Sequence, residues 1–366
     1  MTTKVEERLA RLRAVMKDEG VDLLALGPSA HLEWLLGFHP HGDERLLLLL
    51  VTQQGAEFAM PALEADSAGQ HTDLPMHRWS DAEGPGAALD AALAAVGGKD
   101  AKVVALDETA RTDFSLALLD RLPGARHVFT ETTVGRLRMM KDADERAALK
   151  ASALVADEAM TRAFAAIRPG MTEAEVGQVI KAAFAEHGAA IQFCIVGTAA
   201  NGAFPHHQTG DTKISTGDAI VIDIGARLNG MPSDITRMAV VGEKPEGYDE
   251  IHAIVEGAVQ AAMAVAKPGV KAHEIDDAAR NYIADHGYGE MFLHRTGHGM
   301  GIEVHEPPYM NGSSQTVLEE GMVFSIEPGI YQQGKFGLRL EDIVYLTADG
   351  PVRFSELPRD VAVVGG

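Results

Sequence analysis

The chain has 366 residues, 46% of them hydrophobic and 23% charged, which suits a globular protein with room for two domains and proper cores. Its 53 acidic against 32 basic residues give a net charge of −21. That balance opposes nucleic-acid and anionic-membrane partners, since both need phosphates neutralised by Lys and Arg. A single cysteine, Cys194, excludes an intrachain disulfide and suits a reducing cytoplasm, with the thiol expected as a small buried apolar residue in IQFCIVG.

The amino-terminal segment MTTKVEERLARLRAVMKDEG has a charged, amphipathic helical pattern without the apolar centre of a signal sequence. The longest apolar run, Leu46 to Val51, is too short to span a bilayer. A cytoplasmic protein is therefore expected. Residues 4–19 predict a helix stopped by Gly20, then VDLLALG a buried strand, SAHLEWLLG a helix and RLLLLLVT a second buried strand. EFAMP as a strand, a polar loop, a helix around Ala87–Ala95, the strand KVVALDE, a helix near Phe114–Leu122 and the short strand HVFT complete a βαβα pattern. This predicts a separate α/β domain over residues 1–135, with no glycine-rich phosphate loop and no cluster of metal-ligating residue types.

From the basic GRLRMMK segment a long helix is expected, starting near Asp144 and opening a second domain over 136–366. This half repeats itself. Residues 168–188 align with 267–287 at an offset of 99, with six identities among 21 positions, including the Pro-Gly start and His-Gly end. Thr172 and Glu175 form a capping-box pattern that the second copy lacks. Each copy is expected to be a turn and a helix leading to a strand, IQFCIVG and then MFLHRTG. The domain would thus be a duplicated α+β unit with a site between its halves.

Between the copies, AIVIDIG and PSDITRMAV flank an Arg-Leu-Asn-Gly turn, the pattern of a β-hairpin. Asp223 and Asp234 then fall on one face, directly or diagonally opposite. Two carboxylates so close among apolar residues call for a cation, although a solvated hairpin edge with two unrelated aspartates would carry the same letters. Further polar clusters lie at Phe204-Pro-His206-His207, His294-Arg-Thr-Gly-His298-Gly-Met-Gly, Glu303-Val-His305, Glu327-Pro-Gly and Arg339-Leu-Glu341. Arg339 and Glu341, two apart in an alternating strand, should share a face. GHGMG lacks a P-loop lysine, and its glycines are expected to let backbone approach an ion or substrate. Taken together, Asp223, Asp234, Glu327 and Glu341 with His298 suit two divalent ions of the Mn²⁺ type, Co²⁺ or Zn²⁺ being the alternatives. Such ions, about 3.5–4 Å apart, would bring the pKa of shared water down towards neutrality.

These residues, as a set, resemble the pita-bread metallopeptidases, and within them the Xaa-Pro peptidases prolidase and aminopeptidase P. The resemblance spans the whole chain and implies a smaller creatinase-like amino-terminal domain ahead of a pita-bread domain. It implies Asp223, Asp234, His298, Glu327 and Glu341 as metal ligands and His206 as a substrate-binding histidine. His294 and His305 match the other active-site histidines, and Arg339 the arginine beside the last ligand. His305 or His294 would polarise the oxyanion, and Glu327 would relay a proton to the departing proline nitrogen. Several prolidases carry an arginine four residues after the equivalent of His305, where this chain has Tyr309. The substrate carboxylate then needs another partner. Arg45 is expected either to be a solvated residue paired with Asp43 or Glu44, or to cap that carboxylate.

The expected activity is Xaa-Pro dipeptide hydrolysis by a homodimer, with aminopeptidase P activity on longer peptides the alternative. Methionine aminopeptidase usually lacks the first domain, and creatine-type hydrolysis works without metal. A binding protein that lost the chemistry would not need five intact ligands.

Overall fold

A computed structural model describes residues 3–365 and divides the chain into two compact units, Met1–Arg138 and Met139–Gly366. Among the described residues no helix is long and apolar enough to cross a membrane.

In the first unit the runs LLAL, LLLV and VVAL are too uniformly apolar to leave a wet face, and they become buried strands of one six-stranded sheet. Its spatial order is Met76–Trp79, Ala56–Pro61, Leu48–Val51, Leu23–Leu26, Val103–Leu106 and Arg126–Phe129. The sheet is mixed, because Leu48–Val51 runs antiparallel to both neighbours while the other pairs are parallel. The expected polar loop after EFAMP is instead the helix Ala62–Ala68 and the edge strand Met76–Trp79. In that strand only Trp79 is buried, so MHRW has little of the apolar content by which strands are recognised.

The second unit shows the duplication in its backbone. Helix Ala143–Ala166 precedes helix Glu173–Glu186, and helix Tyr248–Val265 precedes helix Ala272–Asp285. Gly170 and Gly269, each at φ +92°, make the turns before the second helix of each pair. Thr172 and Glu175 form the full capping box. The second copy keeps its reciprocal half, with the Lys271 N–H donating to Glu274 at 2.9 Å, since a lysine side chain has no acceptor to complete the exchange. The halves diverge after their helices. IQFCIVG forms the strand Ala190–Thr198, whereas MFLHRTG is irregular until the strand Gly297–Gly299 begins. Its backbone is held by side chains instead: Arg280 donates to the carbonyls of Phe292 and His294, and Asp276 accepts from the Thr296 N–H.

The hairpin forms between Ala219–Leu228 and Ile235–Val241, joined through Met231–Pro232, with Asn229 and Gly230 both at positive φ as a tight turn requires. Strand alternation divides its side chains. Ile220, Ile222 and Ile224 pack with the first helix pair, while Ala219 and Val221 face the core built on the second pair. Asp223 shares the parity of Val221, so it faces the inside of the unit.

The glycines of GHGMG serve strand packing, not ligand approach. A Cβ on Gly297 would lie 2.0 Å from the Ser325 carbonyl oxygen and one on Gly299 2.3 Å from that of Pro307. Cys194 is half-buried rather than fully enclosed, packed at the edge of the core beneath the first helix pair.

Candidate metal centre and active-site cavity

Hairpin register places Asp223 opposite Thr236, so Asp234, two residues back on the partner strand, is diagonal to it on the same face. Thr236 stands between the acids and organises them. Its hydroxyl donates to Glu341 Oε2 at 2.7 Å and accepts from Arg339 Nε at 3.0 Å. Arg339 ends the strand Phe336–Arg339, and Glu341 lies in the link before Asp342–Thr347, which belongs to another sheet. They do not share one strand as expected; the change of sheet brings both to Thr236. The Arg339 guanidinium donates to Asp223 Oδ2 at 2.6 Å and to the Tyr331 hydroxyl at 2.8 Å.

On the opposing sheet His298 sits in Gly297–Gly299, and Glu327 follows Val323–Ile326. Ser325 ties them together, accepting from the His298 N–H and donating to Glu327 Oε1, both at 2.9 Å. His298 donates Nδ1–H to its neighbour's carbonyl, which leaves Nε2 facing Glu327 Oε1 at 3.2 Å and Asp234 Oδ2 at 3.6 Å.

Asp223, Asp234, Glu341 and His298 are all under 10% exposed. Four carboxylates thus converge where one guanidinium is the only permanent cation in the cavity wall besides Arg295. Burial, and then the neighbouring acids, hold Asp234 and Glu341 well above the usual carboxylate range. Asp223 is raised by burial too, against the pull of Arg339. Glu327 goes the other way. Burial pushes it up, but the hydrogen bond and charge of His298, then His294 and Arg339, bring it down to about 2.

Two sets of donor atoms overlap at Glu341: Asp223 with Asp234, and His298 with Glu327, each set lying within 4.8 Å. Asp223 Oδ1 is buried without a hydrogen-bond partner. An orphaned carboxylate oxygen among like charges is what a cation would relieve, and an oxygen-rich set with one imidazole and no thiolate fits a hard or borderline divalent ion.

The centre lines a cavity of about 780 Å³ whose walls belong to the second unit, including Phe193, Pro205, His206, His294, Arg295, Val304, His305 and Asn311. His206 is exposed to it. His305 is open to cavity solvent yet walled by protein and edge-on to His298, with ring centroids 4.1 Å apart. Desolvation first, then the charges of His298 and Arg295, push it down to about 4. His294 differs from expectation because both its nitrogens are engaged. Nδ1–H donates to the Arg295 carbonyl and Nε2 accepts from the Tyr331 hydroxyl, each at 2.7 Å. His207 turns to Glu173 at 2.8 Å.

Tyr309 is not a wall residue, and its ring lies under the Arg295 guanidinium, 4.5 Å away. Arg45 belongs to the first unit, where Asp43 at 2.7 Å, Asp81 at 2.9 Å and Glu44 at 3.2 Å already pair with it. Sequence reasoning missed Thr236, Ser325 and Tyr331. Only Thr236 had a signal, its parity with Asp234 on the hairpin's inner face.

Residues 147–348 match the model of metallopeptidase family M24, and residues 8–140 match the creatinase/prolidase N-terminal domain. The probable dipeptidase PepE of Mycobacterium tuberculosis is 36% identical over 98% of this chain and 96% of its own length. The Xaa-Pro dipeptidase of Pyrococcus furiosus is 31% identical over 98% of this chain and all of its own length. The crystal structure of dipeptidase PepE from Mycobacterium ulcerans superposes with a TM-score of 0.93 at 35% identity, covering 99% of this chain and 98% of that one. Matched along both halves, the chain belongs to metallopeptidase family M24.

Proposed function

We propose that this protein hydrolyses Xaa-Pro dipeptides, releasing proline, with two divalent ions, Mn²⁺ by preference, held by Asp223, Asp234, His298, Glu327 and Glu341. The observation that carries the reading is the convergence of these five side chains on one cavity in a chain collinear with named dipeptidases. When bound, the ions supply Lewis acidity and bring the pKa of water towards neutrality.

The chain's own residues then divide the work. Glu327, ionised at neutral pH and fixed by Ser325, accepts the proton of the attacking water and passes it to the departing proline nitrogen. His305, neutral at pH 7, offers an N–H to the developing oxyanion. His294 is committed to Tyr331 and holds the Arg339 arm instead, so the oxyanion role falls to His305 alone. Arg339 acts from behind the ligands, fixing Asp223. His206 faces the cavity as a substrate contact. Arg45 stays in this reading as a candidate for the substrate carboxylate, with its three acidic partners weighing against it. The single cysteine supports a reducing cytoplasm, and a homodimer is the proposed assembly.

Assays of an Xaa-Pro dipeptide beside an Xaa-Pro-Yaa tripeptide, with Mn²⁺ or with chelator, test this. Proline release from the dipeptide that requires the metal is expected. Chelator-insensitive release, or a preference for the tripeptide, contradicts it.

A further inference from the structure

Arg295 is the outlier among the arginines of the second unit's interior. Arg237 pairs with Asp342, Arg280 with Asp276, Arg339 with Asp223 and Arg359 with Glu256. Arg295 is half-buried, yet among the described residues its guanidinium has no hydrogen-bond or ion-pair partner, in a protein of net charge −21. Its guanidinium lies over the face of Tyr309. Stacking fixes the plane of a guanidinium while leaving its edge N–H groups free to donate.

The place of that free edge matters. Arg295 lines the same cavity as the carboxylate centre, three residues before His298, so the two Cα atoms lie within roughly 10 Å. Tyr309 is the cross-strand partner of His298, which ties the platform to the centre. A dipeptide ending in proline brings its own carboxylate into a cavity already walled by four others. The wall has two permanent cations, and Arg339 is spent on Asp223, Thr236 and Tyr331. His294 is committed at both ring nitrogens, to the Arg295 carbonyl and the Tyr331 hydroxyl.

We infer that Arg295, stacked on Tyr309, is the receptor for the free carboxylate of the substrate and thereby selects dipeptides over longer chains. The tyrosine that stands where several prolidases carry an arginine becomes the platform for a cation delivered from the neighbouring segment. This rests on the Xaa-Pro hydrolase reading, and the test separates the two.

The experiment measures kcat and KM on Xaa-Pro and on the same dipeptide as its C-terminal amide, with Mn²⁺, for wild type, Arg295→Gln, Arg295→Lys and Arg45→Gln. Wild type should prefer the acid. Arg295→Gln should raise KM for the acid on the order of 10–100-fold, as losing a charge-assisted pair does, with kcat changed far less and KM for the amide unmoved. Arg295→Lys should recover part of the loss, and Mn²⁺ binding by calorimetry should match wild type in both. Equal losses on acid and amide, no loss, a wild type indifferent to the carboxylate, or a selective loss in Arg45→Gln alone would each overturn the assignment. A wild type that cleaves neither substrate defeats the hydrolase reading and this inference with it.

Discussion

Each unit of this protein brings together a group of acids and histidine, and the two groups are built on opposite principles. In the first unit Glu108 sits against His31 at 3.1 Å and the Thr130 hydroxyl at 2.5 Å, and the other nitrogen of His31 accepts from Arg138 at 3.0 Å. Asp107 beside it accepts from the N–H groups of Gly27 and Thr109. Both carboxylates accept from donors of the chain. Although burial opposes it, the bonds from His31 and Thr130 bring Glu108 down to about 2. In the second unit acids face acids, and Asp223, Asp234 and Glu341 are pushed up. A cluster whose charges are answered within the chain stabilises the fold. One whose charges are left unanswered is built to take something from outside.

The sharpest way to break the contrast is to remove one acid from the second cluster. Asp223→Asn or Glu341→Gln should abolish metal-dependent hydrolysis, and metal-free Glu341→Gln should melt no lower than wild type, because a repulsion is removed with the ligand while the amide oxygen can still accept from Thr236. Calorimetric scans of chelated protein check this, and a large drop in Tm would mean that the acids are structural. Arg339→Ala should be milder, roughly 10–100-fold in kcat/KM, as loss of a group that orients a ligand is. Unchanged rates would remove Arg339 from the machinery.

The first cluster should answer in the reverse sense. Glu108→Gln should leave activity and metal binding intact but cost stability. The folded pKa of Glu108 is depressed, so its contribution is fully present above the unfolded value near 4.5 and fades as pH falls towards about 2. Its side chain is 39% exposed, so solvent screening keeps the effect small, on the order of 1 kcal/mol or less. Urea titrations across that window should show the variant losing less stability than wild type on acidification. Parallel curves would remove Glu108 as the cause.

How much of this could be read from the letters depended on whether the signal was local. The hairpin was legible because Asn229-Gly230 and period-2 alternation are local, and parity puts Asp223 and Asp234 on one face, while the diagonal placing is set by the register. The helices Glu173–Glu186 and Ala272–Asp285 were legible from their Pro-Gly and His-Gly ends, whereas Tyr248–Val265 was not anticipated. Met76–Trp79 was not, because an edge strand carries few apolar residues. His31, Asp107 and Glu108 went unseen as a group, being joined only when the strands Leu23–Leu26 and Val103–Leu106 pair. The link between Arg339 and Glu341 was misread as one strand because the alternation of apolar and charged residues runs through the change of sheet. Thr236, Ser325 and Tyr331 look ordinary in sequence, and only folding places their hydroxyls between charged neighbours. Arg295 was passed over for the opposite reason: what marks it is a missing partner, which no sequence displays.

The central claim is that the unanswered carboxylates of the second unit form a dinuclear metal centre. Equilibrium dialysis of the full chain against Mn²⁺, wild type beside Glu341→Gln and Glu108→Gln, tests it most directly. Wild type and Glu108→Gln should bind two ions saturably, with at least one lost in Glu341→Gln. No saturable binding, or equal binding by all three proteins, would contradict it.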